Sequence, residues 1–164
     1  MSYRRNCIIA TVVILGLVMF IPVAQAQRQD FEGIFCGSIT YNVVHFSKEA
    51  SIMAGDLKGI TRSTHESKLF DNWTYHGVFA LKGLDGKWSY NGFGKGMGPD
   101  GEFIITEYYG DSESGSTGKV VYGTGKWKGI KGEFTAKRIT TGKPIAQGTE
   151  QFCEKRVGWI ELPK

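Results

Sequence analysis

The feature that most restricts the fold is the alternation of apolar and polar residues in short, glycine-bounded runs after residue 30. In GIFCGSITYNVVHF, residues 33–46, Phe35, Ile39 and Tyr41 fall on one face of an extended chain. A period of two is the pattern of a β-strand with one buried face. Apart from one N-terminal apolar run, no segment keeps the 3.6-residue period of an amphipathic helix. The sequence therefore predicts an all-β fold.

Turn signals separate these runs at regular intervals. Asp85-Gly86 suits a two-residue hairpin turn that needs positive φ, and Pro99 begins a second turn. The strand-like segments are 33–46, 73–81, 87–96, 103–110, 119–125, 132–140 and 148–162. Residues 46–72 fit one or two further strands and a long loop. Seven or eight strands at this spacing predict a closed antiparallel barrel, with a β-sandwich as the alternative.

The first 26 residues have the layout of a secretory signal peptide. Arg4 and Arg5 precede an apolar run over residues 7–23, and Ala24-Gln25-Ala26 matches the small-x-small pattern that signal peptidase accepts. An uncleaved membrane anchor is the alternative, since ~17 apolar residues is the short limit for a spanning helix. We expect a signal peptide over residues 1–26, export to the periplasm or the exterior, and no stable membrane insertion after cleavage. The remaining residues, 27–164, form one β-barrel domain in this interpretation.

The charge balance argues against a nucleic-acid partner. Removal of residues 1–26 leaves 18 lysines and arginines against 16 acidic residues, a net charge of +2. The pI of 8.9 for the whole chain therefore overstates how basic the exported protein is. Domains that bind nucleic acid usually have a strong basic bias, so we predict no such partner.

Two cysteines, Cys36 and Cys153, follow the predicted cleavage site, one near each end of the remaining chain. In an exported protein such an isolated pair favours a disulfide. A metal site would need further ligands nearby, and neither cysteine has a CxxC partner or a neighbouring histidine. A bond between the first and last strands would close the sheet, so it favours the barrel over the sandwich.

The stretch YGTGKWKGIKGEF, residues 122–134, admits both ligand-binding and structural interpretations. It lacks the spacing of a phosphate-binding P-loop, and Gly129 stands one place too late for a dinucleotide fingerprint. Lysines around Trp127 could contact nucleic acid, but on a nearly neutral domain a solvated face is the better interpretation. We predict a turn between two strands, with Trp127 and Ile130 pointing inward and the lysines outward.

The same stretch carries a family resemblance. GTGKWKGIKG, residues 123–132, resembles the Gly-Thr-Gly-x-aromatic-x-Gly-x-x-Gly signature of the allene oxide cyclase-like and dirigent-like barrels, although Tyr122 stands where many members have a further glycine. PDGEFIITEYYG, residues 99–110, is similar to the strand before this signature in small exported bacterial members. The resemblance covers residues 83–140 and implies a single antiparallel eight-stranded calycin-like barrel with an apolar cavity. It carries over no catalytic residue, because the signature is a barrel-building feature.

Two titratable residues are candidates for proton transfer. Alternation in FIITEYYG puts Glu107 on the same face as Phe103, Ile105 and Tyr109. That face points either into the barrel, where burial would raise the pKa of the carboxyl, or outward to the surface. His76 is the second candidate. The histidines have no metal-ligand spacing, so we predict no metal and no cofactor.

Three functions are compatible with these observations. The first is binding of a small, mostly apolar molecule in a cavity lined by Tyr75, Phe79, Trp88 and Tyr90. The second is an isomerase or cyclase that uses Glu107 or His76 inside the barrel. The third is an interaction protein that acts through its surface or as a homo-oligomer. Hydrolases of the Gly-x-Ser-x-Gly and HExxH types are excluded, because neither motif is present.

Overall fold

The computed structural model describes residues 27–162, which form eight β-strands and a short 3₁₀ turn at Gly125–Trp127. The strands are β1 (Gln27–Phe46), β2 (Ala50–Ser63), β3 (Trp73–Leu84), β4 (Lys87–Met97), β5 (Phe103–Asp111), β6 (Gly115–Gly123), β7 (Lys131–Gly142) and β8 (Thr149–Leu162). This confirms the all-β prediction, and residues 46–72 contain one strand and one long loop. No helix within these residues is long and apolar enough to cross a membrane. The predicted signal peptide, residues 1–26, lies outside the described residues.

The sheet closes on itself. Each strand pairs antiparallel with the next along the chain, and β8 pairs with β1. The fold is therefore a barrel without free edges, which excludes the sandwich. Cys36 and Cys153 are directly opposite each other in the β1–β8 pair, and a disulfide joins them. The predicted disulfide and its place on the first and last strands are both confirmed.

Alternate residues of each strand fill the interior. In β3, Tyr75 and Phe79 are buried while the residues on either side of each are exposed. Glycines on other strands leave room for the large rings: a Cβ at Gly94 would overlap the Tyr75 hydroxyl, and one at Gly118 would overlap the ring of Phe134. A narrow barrel can hold many aromatic rings when glycines lie beside them.

One end of the barrel is closed by apolar packing. Phe70, in the loop over residues 64–72, and Trp127, at the end of the 3₁₀ turn, lie across the interior with ring centroids 5.7 Å apart. Trp73 contacts both rings edge to face. The other buried members of this cluster are Phe31, Ile104, Val120, Ile130, Phe134 and Ile160. A space of about 40 Å³ remains among these rings, too little for an organic ligand.

The glycine-lysine stretch 122–134 builds part of this closed end. Trp127 and Ile130 are buried, and the lysines between and after them are exposed. Gly129 has a φ of +80°, a conformation that glycine adopts without strain and larger residues avoid. The prediction that this stretch is a structural turn between two strands is confirmed.

The barrel wall is uneven in height. β1 has 20 residues, β2 and β8 have 14 each, and β5 and β6 have 9 each. The wall is therefore tall around β8, β1 and β2 and low at β5 and β6. Four hairpin turns border the end opposite the apolar packing, and we call this the open end. The turns are residues 47–49, 85–86, 112–114 and 143–148.

Candidate ligand-binding cavity

The interior between the packed end and the open end contains a cavity of ≈ 520 Å³. Tyr75, Phe134 and Arg156 separate it from the small space at the closed end. Its lining continues outward to Trp88 and Lys137, beside the hairpin turns. Trp88 is 39% exposed, so the cavity opens to solvent at the open end.

Aromatic rings form one side of the cavity. Tyr75, Phe79, Trp88 and Tyr90, the residues predicted to line it, all lie on its wall. Tyr108 of β5 joins them, with its ring centroid 6.1 Å from that of Tyr90 and 6.4 Å from that of Phe79. Because β3, β4 and β5 are neighbours in the sheet, these inward rings form one continuous apolar surface.

Hydrogen bonds within the barrel hold the tyrosine hydroxyls of this wall. Tyr75 Oη lies 2.7 Å from Thr106 Oγ1, and Tyr90 donates to Ser116 Oγ at 2.6 Å. Tyr108 donates to a backbone carbonyl of β3 at 3.1 Å. Burial raises the pKa of all three phenols above the usual value. The rings are therefore neutral and fixed in orientation.

The opposite wall carries two Arg–Glu pairs on β7 and β8. Arg156 Nε and Nη2 lie 2.8 and 2.7 Å from Glu154 Oε1, and the two side chains are 12% and 14% exposed. The Arg156 guanidinium also lies 4.1 Å above the ring centre of Phe35. Nearer the open end, Arg138 pairs with Glu150. Each pair is neutral overall, yet each guanidinium has more N–H donors than its carboxylate partner uses.

Glu150 connects this wall to β1. Tyr41 donates a hydrogen bond to Glu150 Oε2 at 2.8 Å, and burial raises the pKa of the Tyr41 phenol. The Arg138 guanidinium lies 3.9 Å above the ring centre of Phe152. Stacking on a ring leaves the edge of the guanidinium available for hydrogen bonds. Contacts from β1, β7 and β8 thus fix the positions of the Glu150 carboxylate and the Arg138 guanidinium.

No sequence motif indicated these charged residues, because a stretch such as EQFCEKR has the composition of an exposed strand. The sequence signal that could have identified them is the alternation of inward and outward side chains along β8. Phe152 and Ile160 are both buried, so Glu150, Glu154 and Arg156 must share their inward face. Parity identifies the face of a strand but not whether that face meets packed side chains or a cavity.

No protein-family model matches the chain, and no curated protein matches it in sequence. Solved structures do match. The pterocarpan synthase dirigent protein PsPTS1 superposes with a TM-score of 0.57 at 13% identity, over 85% of this chain and 99% of that chain. The pterocarpan synthase dirigent protein GePTS1 gives 0.52 at 10% identity, over 87% of this chain and 94% of that chain.

This protein has the dirigent barrel fold. At such low identities the match concerns the fold alone, and it brings no site residue with it. It agrees with the closed eight-stranded sheet and with the signature at residues 123–132. The resemblance to the allene oxide cyclase-like and dirigent-like barrels is therefore confirmed for the fold.

The dirigent barrel turns both predicted proton-transfer residues away from its cavity. Glu107 is exposed on the outer face of β5, paired in register with Lys119, because Tyr108 takes the inward position. His76 points outward beside the inward Tyr75, and its Nε2 lies 3.1 Å from Asp56 Oδ2. The idea that either residue acts inside the barrel is corrected accordingly: neither side chain reaches the cavity.

Proposed function

We propose that this protein is exported and binds a small, mostly apolar molecule in its barrel cavity. The observation that carries the proposal is the cavity of ≈ 520 Å³. Small-molecule sites typically have volumes of about 300–1,000 Å³ and combine an apolar lining with a few fixed polar groups. The aromatic wall and the two Arg–Glu pairs supply this combination. Tyr75, Phe79, Trp88 and Tyr90 are the proposed contacts for the apolar part of the ligand.

The charges on the wall favour a ligand with an uncharged polar group. Each arginine already has a carboxylate partner, so an anionic ligand would have to compete with Glu150 or Glu154. A carbonyl or hydroxyl oxygen can accept from the remaining guanidinium N–H groups without breaking either pair. The ligand we propose therefore has a ring or hydrocarbon part that faces β3–β5 and a carbonyl or hydroxyl that faces β7 and β8.

Two further observations support the proposal. Both structural neighbours are described as pterocarpan synthase dirigent proteins, and a synthase has to bind the molecule it converts, so a barrel of this fold can hold a small organic molecule. The Cys36–Cys153 disulfide is of a kind that persists in oxidising compartments, which supports export to the periplasm or the exterior.

Narrowing the cavity tests ligand binding directly. Ala136 lines the cavity, whereas Ala80 is exposed on the outer face of β3 and provides the matched control. We expect Ala136→Trp to weaken binding of the neutral fluorescent probe N-phenyl-1-naphthylamine by about tenfold or more, because the indole takes up space that the probe needs. Ala80→Trp should leave it unchanged. Equal binding by both variants, or no binding by the unaltered protein, contradicts a ligand-binding cavity.

Native mass spectrometry of the protein purified from its own host would identify the natural ligand by mass. A small molecule should remain bound to the unaltered protein and to Ala80→Trp, and it should be missing from Ala136→Trp. A molecule that all three forms retain equally would lie outside the cavity.

An isomerase or cyclase is a second candidate, because Glu150 and Glu154 face the cavity. Either carboxylate could exchange a proton with a bound molecule, which is the role that the sequence alone assigns to Glu107 or His76. Glu154→Gln keeps the shape of the side chain and removes its acid function. In an enzyme of this type, product formation from the co-purified ligand should stop while probe binding continues. The third function, a surface-mediated or oligomeric role, stays a prediction.

A further inference from the structure

The open end exposes large apolar side chains. Among the large apolar side chains of the described residues, the three most exposed are Ile145 (87%), Val44 (76%) and Phe46 (72%). They lie on two neighbouring hairpins, which we call the β1–β2 tip (residues 43–49) and the β7–β8 tip (residues 139–148). Exposed apolar groups at this density are costly in water unless a partner covers them.

The loops at the closed end have no such feature. In residues 64–72, 98–102 and 124–130, no leucine, isoleucine, phenylalanine or tryptophan is exposed. The apolar residues of these loops turn inward and pack in the cluster around Trp127. On the loops between strands, Ile145 at the open end is the only exposed large apolar residue within residues 27–162, and Val44 and Phe46 are at the end of β1 on the neighbouring hairpin.

Charge is also unevenly distributed around the open end. The β7–β8 tip carries Lys143 and no acidic residue, and the β1–β2 tip carries Lys48 beside Glu49. The β5–β6 tip, residues 111–115, lies across the opening from β1–β2 and carries Asp111, Glu113 and no apolar residue. Ile145, Val44 and Phe46 thus lie on two tips that have no net negative charge.

We propose that the β1–β2 and β7–β8 tips dock the barrel on an anionic lipid surface. Apolar side chains that enter the headgroup layer, with lysines beside them at the level of the phosphates, are a typical means of peripheral membrane binding. Because the apolar groups lie on two separate tips, a deformable lipid layer can accommodate each tip without a preformed surface of complementary shape. The acidic β5–β6 tip is next to the β7–β8 tip, but Ser116 at the start of β6 pairs with Ala136 while β7 continues to Gly142. The acidic tip therefore lies lower on the barrel wall than Ile145, set back from the anionic phosphates.

The backbone of the β7–β8 tip is suited to an apolar environment. The Ile145 N–H donates to Gln151 Oε1 at 3.3 Å, and the Ala146 N–H donates to Thr149 Oγ1 at 3.3 Å. An N–H without a partner is costly outside water. Ile145 can therefore enter the headgroup layer without leaving these two groups unpaired.

Vesicle binding tests this surface independently of any cavity ligand. The protein used begins at Gln27, which keeps all eight strands and removes the apolar run of residues 7–23. Cosedimentation is measured with vesicles of phosphatidylcholine alone and of phosphatidylcholine with phosphatidylglycerol. We expect binding to the anionic vesicles, weaker binding with added salt, and little binding to the neutral vesicles. No binding to the anionic vesicles, or equal binding to both kinds, overturns the proposal.

Matched variants locate the contact. Ile145→Ser should weaken binding to the anionic vesicles by about tenfold, because it removes an inserted apolar group. Lys143→Glu should weaken binding by about tenfold or more. The controls are Phe93→Ser and Lys119→Glu, which change exposed residues on the outer wall. If the control variants lose vesicle binding equally, the contact is not at the tips and the assignment is overturned.

Light scattering without vesicles examines whether a second copy of the chain covers the tips instead. We expect the unaltered protein and Ile145→Ser to have the same particle mass. A larger particle that dissociates in Ile145→Ser would show that the tips bind each other and would overturn the lipid proposal.

Discussion

The closed and open ends of this barrel use the same residue type for different purposes. At the closed end, Trp127 packs against Phe70 and Trp73 and is 6% exposed. At the open end, Trp88 stacks on Tyr90 and remains partly exposed. Long loops fold over the interior at the first end, whereas most of the turns at the second are too short to do so. An aromatic residue thus stabilises the fold where loops cover it and forms a cavity wall where they do not.

Removal of the disulfide should weaken both ends together and have the largest effect. The cysteines are 117 residues apart, and for a loop of that length the chain-entropy estimate is a loss of about 4 to 5 kcal/mol in the free energy of unfolding. Urea unfolding of the variant with Cys36→Ser and Cys153→Ser measures the loss. A loss below about 1 kcal/mol would show that strand pairing alone holds β1 and β8.

Removal of one tryptophan from each end should separate the two roles. Trp127→Ala leaves a large hole in the closed end and should lower the free energy of unfolding by about 3–5 kcal/mol. Trp88→Ala should cost less than about 1 kcal/mol and should instead weaken probe binding. Urea unfolding and fluorescence titration of both variants measure these effects. The reverse order of stability losses would contradict the distinction between the ends.

The tyrosines of the cavity wall should make the protein less stable in alkali. Burial raises the pKa of Tyr75, Tyr90 and Tyr108, so the unfolded chain releases these protons at a lower pH than the folded barrel. Titration of these phenols should leave the free energy of unfolding unchanged below about pH 10, the ordinary phenol pKa. As pH rises above that value, it should lower the free energy of unfolding. Urea midpoints on either side of that pH measure the fall.

Tyr108→Phe should reduce this alkaline fall, because phenylalanine has no proton to release. Tyr109→Phe is the matched control, since Tyr109 is exposed on the outer face. An alkaline fall that is the same in both variants would show that buried phenols are not its cause.

The smallest expected effect concerns the indole N–H at the closed end. Trp127 Nε1 is buried and has no hydrogen-bond partner among residues 27–162. Trp127→Phe loses part of the ring but also removes this unpaired donor, and the two effects oppose each other. We expect a cost of about 1 kcal/mol or less in urea unfolding. A cost as large as that of Trp127→Ala would contradict the expectation that removal of the unpaired donor offsets part of the packing loss.

Much of the fold could be predicted because most of the relevant signals are local. Alternation in β3 identified the inward positions of Tyr75 and Phe79, and Asp85-Gly86 identified a two-residue turn, where both residues have positive φ. The cysteine pair indicated which strands close the sheet. The first two signals depend on a few neighbouring residues and on stereochemistry that holds in any fold. The cysteine signal is not local, because the two residues are 117 positions apart, but it needs only their number and their places near the two ends of the barrel domain.

The polar part of the site could not be predicted in the same way. β5 has apolar residues on both faces, with Ile104 and Tyr108 inward and Phe103 and Tyr109 outward, so alternation alone left the orientation of Glu107 open. β8 presents the converse case, because charged residues occupy its inward face. Composition usually separates buried from exposed positions, but the wall of an open cavity is polar and inward at the same time.

The unequal strand lengths also determine how the opening can be covered. Because β1 has 20 residues and β5 and β6 have 9 each, the rim is slanted and the cavity faces partly sideways, past Gly115 and Ser116. A flat surface that rests on the tall side leaves the low side uncovered. The barrel can therefore attach to a surface through the tall side of its rim while small molecules enter and leave the cavity at the low side. A partner bound in this way does not seal the cavity.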